Sequence, residues 1–256
     1  MIEKEIGGIG FIVGRWPLDT AKSTVVFIHG SGGTCRFWLA QVRDLAERVN
    51  TVALDLPGHG RSGKAGKDAV VDYARAVLEF IDVIEARKII PCGLSLGGAI
   101  VQQLLLDHAK QFIAGILMGT GAKLKVLPAI FDAIQNDYAG FVKTAVQLSS
   151  SEKTDPKQIQ LFSEDLNRCR PEVVYSDFKA CNEFNVMERI VEIKVPVLVI
   201  SAQDDKLTPP KYADYLESAI PGADRAYIPD AGHIAPLEKP LEINQAISDF
   251  LDRHGL

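Results

Sequence analysis

Apolar residues fall along this chain in two alternating kinds of run. The first kind is short and unbroken: Ser23 to Ile28, Thr51 to Leu54, Lys88 to Cys92, Phe112 to Met118 and Val195 to Ile200. These runs are rich in branched side chains and too short for helices, which predicts strands covered on both faces. The second kind spaces its apolar positions three and four apart. Trp38, Val42, Leu45 and Ala46 do so between Phe37 and Val49, and helices are predicted likewise over Asp68 to Glu85, Ala99 to Leu106, Pro209 to Ala219 and Leu241 to Leu251. Gly10 to Gly14 reads as a strand of an opening hairpin with Gly7-Gly8 for its turn, and Ala226 to Ile228 as a last strand. Strands alternating with helices at this spacing imply a mostly parallel sheet with helices on both faces.

The alternation stops near Gly121 and resumes near Ile193. Between them, Leu127, Ile130, Phe131, Ile134, Tyr138, Phe141 and Val142 predict one amphipathic helix. Asp155-Pro156 predicts the cap and first turn of a second helix, and Pro171 the start of a third. A segment of about seventy residues is too long for a structureless loop in a compact domain. The expected division is therefore an α/β core over 1–121 and 193–256, with a helical cap, or lid, over 122–192.

The chemistry centres on Gly93-Leu94-Ser95-Leu96-Gly97-Gly98, which lies between a predicted strand and a predicted helix. A serine in a turn this tight, flanked by glycines, is the nucleophile-elbow pattern, and its hydroxyl projects outward. An ordinary glycine-rich turn is the bland alternative, and the flanking strand and helix favour the elbow. A second glycine-rich loop, His29-Gly30-Ser31-Gly32-Gly33, ends the strand at 23–28. Its backbone can approach an anion closely. It has no Gly-Lys-Ser/Thr and no dinucleotide fingerprint, so an oxyanion site fits it better than a phosphate site.

Composition narrows the partners. The chain has 256 residues, 47% of them hydrophobic and 24% charged, with a net charge of −5, which suits a globular domain without a basic surface for nucleic acid. No apolar stretch approaches the ~20 residues that span a bilayer. The charged opening Met1-Ile2-Glu3-Lys4-Glu5 lacks the pattern of a secretory signal, so a cytoplasmic location is expected. Cys35, Cys92, Cys169 and Cys181 are scattered without metal-ligand spacing. Neither metal nor organic cofactor is called for, and oligomeric state is not legible.

Ser95 needs a base, for which the chain offers His29, His59, His108, His233 and His254. On a nucleophile-elbow architecture the order is serine, acid, histidine, which removes His29 and His59. His108 sits in the helix after the elbow and His254 in the terminal tail, which leaves His233. A carboxylate must orient that ring. Asp204 and Asp205 follow the strand at 195–200, and either can serve; Asp230 is an outside candidate, close enough to His233 in sequence that reaching the far ring nitrogen would be awkward. The oxyanion donors expected are the backbone N–H of Leu96, at the amino end of the elbow helix, and that of Ser31.

Four segments together carry a family resemblance: His29-Gly30-Ser31-Gly32, Asp55-Leu56-Pro57-Gly58-His59-Gly60-Arg61-Ser62, Gly93 to Gly98, and Gly232-His233 with Leu237-Glu238-Lys239-Pro240. In this order they resemble the α/β-hydrolase fold superfamily, in its helical-cap branch. The resemblance implies an eight-stranded, mostly parallel sheet and the triad Ser95, Asp205 and His233. Asp205 is preferred over Asp204 because its spacing to Pro209 matches the family's segment, although Ala202 stands where many relatives have glycine. The resemblance also makes His59 a structural residue of its loop.

Serine at the elbow sets the chain apart from relatives that carry aspartate there and open epoxides or displace halide. The expected activity is hydrolysis of carboxylic esters in a small acyl substrate through an acyl-enzyme. The alternatives are hydrolysis of carbon–carbon bonds in β-diketone-like compounds, other acyl chemistry such as lactone opening, and a ligand receptor on the same fold. Phe131, Tyr138, Phe141 and Phe162 of the cap are candidates for an acyl pocket, against a packing role that their helical spacing favours.

Overall fold

The computed structural model describes all 256 residues. One eight-stranded sheet runs through the molecule, built from β1 (Ile2–Ile6), β2 (Ile9–Val13), β3 (Thr24–Ile28), β4 (Asn50–Leu54), β5 (Ile89–Leu94), β6 (Gly115–Met118), β7 (Val197–Ala202) and β8 (Asp224–Ile228). Its order is β1-β2-β4-β3-β5-β6-β7-β8. β1 and β2 form the antiparallel hairpin, β2 pairs antiparallel with β4, and every later pairing is parallel.

The unbroken apolar runs are explained by two cores. Along β3, Val26 and Ile28 point into one core, while Val25 and Phe27 point into the other, as the period-two alternation of a strand requires. The first core is closed by α2 (Val70–Val83), α3 (Leu96–Asp107) and α8 (Lys211–Ala219). The second is closed by α1 (Leu39–Asp44), α9 (Ala235–Glu238) and α10 (Pro240–His254). A fully buried Val, Ile or Phe contributes roughly 1.5–3 kcal/mol, so a central strand with no polar face is the most strongly held part of the molecule.

After β3 the chain turns to one side to make β4, then crosses to the other side to make β5. That reversal leaves a crevice at the carboxyl ends of β3 and β5, the place where open α/β sheets receive ligands. The elbow serine follows β5 and the glycine-rich loop follows β3, so topology alone brings both to this crevice.

Between β6 and β7 stand four helices: α4 (Pro128–Asn136), α5 (Tyr138–Ser149), α6 (Pro156–Arg168) and α7 (Pro171–Glu183). Proline opens α4, α6 and α7, where its missing N–H costs nothing. The single helix expected over 127–142 is two. Asp137 breaks it, because its side chain accepts the Gly140 N–H at 3.0 Å and caps a new helix. The helix expected from Phe37 to Val49 is likewise shorter: a 3-10 turn at Cys35–Trp38 leads into α1. Ile134, Phe141, Val142, Leu166 and Val174 give the four helices a small core of their own. No helix of the chain is long and apolar enough to cross a membrane.

Candidate active site

Ser95 has the backbone the elbow pattern demands, with φ 55° and ψ −114°. A non-glycine residue held there stores roughly 1–3 kcal/mol of strain, which the surroundings must impose. They do so through tightness. A Cβ at Gly93 would run into the Gly97 carbonyl, one at Gly97 into the Ile28 carbonyl, and one at Gly98 into the Thr120 side chain. The Ser95 N–H donates to the Met118 carbonyl at 3.0 Å, and the Thr120 hydroxyl donates to the Ser95 carbonyl at 3.0 Å. The side chain is partly exposed, whereas its neighbours Leu94 and Leu96 are buried.

His233 lies on the loop after β8 and is 6% exposed. Its Nδ1 is 2.9 Å from Oδ2 of Asp205 and 3.2 Å from Oγ1 of Thr208. A ring nitrogen facing a carboxylate carries the proton, so Nδ1–H donates to Asp205 and Nε2 is left as the acceptor. Asp205 is fixed in turn by the N–H groups of Leu207 (2.9 Å) and Thr208 (2.8 Å) and by the Thr208 hydroxyl (2.8 Å). Burial pushes its pKa up, but the histidine and the Thr208 donors outweigh burial, so its carboxyl stays ionised below the usual carboxylate range. Asp204 turns away: its Oδ2 accepts the Ser151 hydroxyl at 2.5 Å. Asp230 pairs with Lys153 at the surface. Of the three acids weighed from the sequence, Asp205 alone touches the imidazole.

Both Ser95 and His233 border the end of β6. Ser95 bonds to Met118, and a Cβ added to Gly119 would lie 3.3 Å from the His233 ring. The structure brings them to one rim without closing a hydrogen bond between the Ser95 hydroxyl and Nε2. Catalytic bonds of this kind are often long in unliganded enzymes and tighten around substrate.

Leu96 is the first residue of α3, so its N–H has no preceding carbonyl in the helix and sits at the positive end of the dipole. In the loop after β3, the Gly33 N–H bonds to the Gly30 carbonyl at 3.1 Å and the Gly32 N–H to Asp177 Oδ2 at 2.9 Å. The Ser31 N–H makes no hydrogen bond within the protein. Of these three amides, Ser31 is the one free to receive an anion.

Two histidines flank the loop and differ in charge. His29 Nδ1 donates to the Gly30 carbonyl at 2.7 Å, while Nε2 accepts the Leu56 N–H at 3.0 Å, which fixes a neutral ring. Complete burial, and then the nearby His59, lower its pKa to about 3. His59 faces acceptors at both nitrogens, the Pro57 carbonyl at 3.1 Å and Asp177 Oδ2 at 2.9 Å, so it carries both protons. Burial opposes that charge, but Asp177 overcomes it and holds the pKa well above the ordinary value.

Three residues of this region carry no functional role in the sequence reading: Asp177, Glu238 and Thr208. Glu238 is buried and accepts the N–H groups of Gly232 (2.9 Å) and Ser151 (2.9 Å) and the Thr154 hydroxyl. It thereby ties the His233 loop to the segment between α5 and α6. The four aromatic residues weighed for an acyl pocket pack among themselves or on neighbours: Phe131 on Tyr175, Tyr138 on Phe141, Phe141 on Phe178 and Phe162 on Phe37. A cavity of about 580 Å³ on the outside of α6, lined by Lys157, Gln160, Glu164 and Arg168 among others, does not include Ser95. No group of three or more His, Cys, Asp or Glu side chains is placed to hold a metal ion.

Residues 25–246 match the model of the alpha/beta hydrolase family. The chain belongs to that family. It is 30% identical over 250 residues to the dihydrolipoyllysine-residue acetyltransferase component of an acetoin cleaving system from Cupriavidus necator, covering 89% of this chain and 63% of the relative's length. It is 24% identical to 3-oxoadipate enol-lactonase 1 of Acinetobacter baylyi, over 89% of this chain and 88% of that one. Among solved structures, a thermophilic esterase superposes with a TM-score of 0.86 at 30% identity, covering 99% of this chain and 98% of the esterase. The chain spans under two thirds of the length of the acetyltransferase relative, and what the family membership and the sheet together show is the eight-stranded α/β-hydrolase fold.

Proposed function

We propose that this hydrolase cleaves carboxylic esters through an acyl-enzyme on Ser95, with His233 as general base and acid and Asp205 as the group that orients it. The observation that carries the reading is the strained Ser95 backbone at the crevice rim, beside an imidazole whose Nδ1 is committed to a buried carboxylate. Nε2 of His233 takes the Ser95 proton as Oγ attacks the ester carbon. The tetrahedral oxyanion receives the N–H groups of Leu96 and Ser31, each worth on the order of 100-fold or more in rate. The alkoxide leaves with the proton from His233. Water, deprotonated by the same nitrogen, then attacks the acyl carbon and releases the carboxylic acid and Ser95. A lactone is an ester closed on itself and would follow the same steps. The four helices over 122–192 are proposed as the cap that covers this crevice.

A p-nitrophenyl ester tests the reading. The wild-type protein is expected to turn it over, Ser95→Ala is expected to abolish turnover, and a fluorophosphonate is expected to label Ser95 alone. Tight binding without turnover would favour a receptor, and turnover of a β-diketone with no ester activity would favour carbon–carbon bond hydrolysis.

A further inference from the structure

Asp177 lies on α7, inside the helical insertion, yet its carboxylate is spent on the core. Oδ2 accepts the Gly32 N–H at 2.9 Å and the His59 ring at 2.9 Å, and Oδ1 accepts the Tyr73 hydroxyl at 2.6 Å. The side chain is fully buried. Its neighbours on α7 face the same loop. Val174, three residues earlier, would lie 3.4 Å from a Cβ at Gly32, and Cys181, four residues later, places Sγ 3.9 Å from the Ser31 hydroxyl. One face of α7 therefore lies along Ser31 and Gly32.

We infer that Asp177 is a positioning residue for the oxyanion loop, so that the insertion holds part of the catalytic apparatus in place. The deduction rests on the acyl-transfer reading above, in which the Ser31 N–H is a donor. The Ser31–Gly32 peptide is pinned by Asp177 and the turn is closed by the Gly33-to-Gly30 bond, while the Ser31 N–H between them has no acceptor within the protein. A lone carboxylate beneath an oxyanion site would oppose the charge that develops there. His59 removes that objection. Both its nitrogens donate, one of them to Asp177, so the pair adds no net charge. A purely structural ion pair would need only the bonds to His59 and Tyr73; the bond to Gly32 is the one that reaches the reaction.

The test compares Asp177→Asn, Asp177→Ala and the double variant His59→Asn/Asp177→Asn with the wild type. The double variant leaves no unpaired charge buried, so it guards against misfolding of the single ones. Loss of an oxyanion donor costs on the order of 100-fold, and loss of its support is expected to cost about 10- to 100-fold in kcat with little change in KM. Affinity for an alkyl boronic acid, whose tetrahedral adduct on Ser95 uses the same donors, should fall in parallel. Asparagine, which keeps one acceptor for Gly32, should recover part of what alanine loses. Amide exchange over residues 29–37 should speed up in every variant, a readout that needs no turnover. Folded variants with wild-type kcat, boronate affinity and exchange would overturn the inference while leaving the esterase reading intact. Absence of turnover in the wild type would sink that reading, and unchanged exchange would then sink the positioning role separately.

Discussion

The neighbouring rings of His29 and His59, with centroids 4.8 Å apart and planes tilted by 58°, are shifted in opposite directions and should set the pH of greatest stability. An unfolded histidine has a pKa near 6.5. His29 is held neutral down to about pH 3, so between about pH 3 and 6.5 the unfolded chain binds a proton that the folded chain refuses. Stability then falls as pH falls, by about 1.4 kcal/mol per unit. His59 is raised, so its contribution is complete below pH 6.5 and is lost as pH climbs toward its elevated value. The two slopes meet near pH 6.5, where their sum is largest. The window from pH 6.5 to 5.0 lies above most carboxylate titration, and there His29 is expected to remove about 2 kcal/mol. The assay is urea unfolding at pH 5.0, 6.5 and 8.0 on the wild type and on His29→Asn, whose side chain does not titrate. The variant will be less stable throughout, because the Leu56 N–H loses its acceptor, but its stability should change less between pH 6.5 and 5.0 by that same 2 kcal/mol. Equal acid slopes in the two proteins would refute the assignment of a neutral, buried His29.

Other substitutions probe the elbow, the histidine loop and the acid separately. Gly97→Ala should abolish turnover and lower the yield of folded protein, because its Cβ meets the Ile28 carbonyl; Gly63→Ala, with open space around it, should leave urea-unfolding stability within about 0.5 kcal/mol of wild type. Glu238→Gln removes the charge that the Gly232 and Ser151 N–H groups and the Thr154 hydroxyl share, and should cost about 2 kcal/mol, read as several degrees in melting temperature. Thr208→Val removes one donor to Asp205 Oδ2, and should lower kcat about 3- to 10-fold in an ester assay while Ser95 still labels with a fluorophosphonate.

What could be read without coordinates was what the chain encodes locally. The central strands were legible because burial on both faces leaves no polar position in a run such as Val25 to Ile28. The tight turn at Ser95 was legible because it tolerates so few side chains that glycine must appear at fixed offsets. The helix over 127–142 was misread for a local reason too: the apolar spacing runs on through Asp137, but an aspartate can cap as well as continue, and here its side chain takes Gly140. The residues by themselves left Asp204 and Asp205 open and the family spacing to Pro209 favoured Asp205; neighbouring residues point to opposite sides, and in the folded loop Asp205 is the one that meets the histidine. Asp177 belongs to a different class. Its partners Gly32, His59 and Tyr73 stand 145, 118 and 104 residues away, and no window of sequence holds them together. The one trace it leaves is a solitary carboxylate on a stripe of Val173, Val174, Ala180 and Cys181, all buried. A carboxylate that costs this much to bury must be paired. An acid alone on an apolar helix face is therefore a statement that the helix docks on buried donors, which here are the Gly32 N–H, the His59 ring and the Tyr73 hydroxyl. α7 thus carries in its own residues the instruction to dock on the loop after β3.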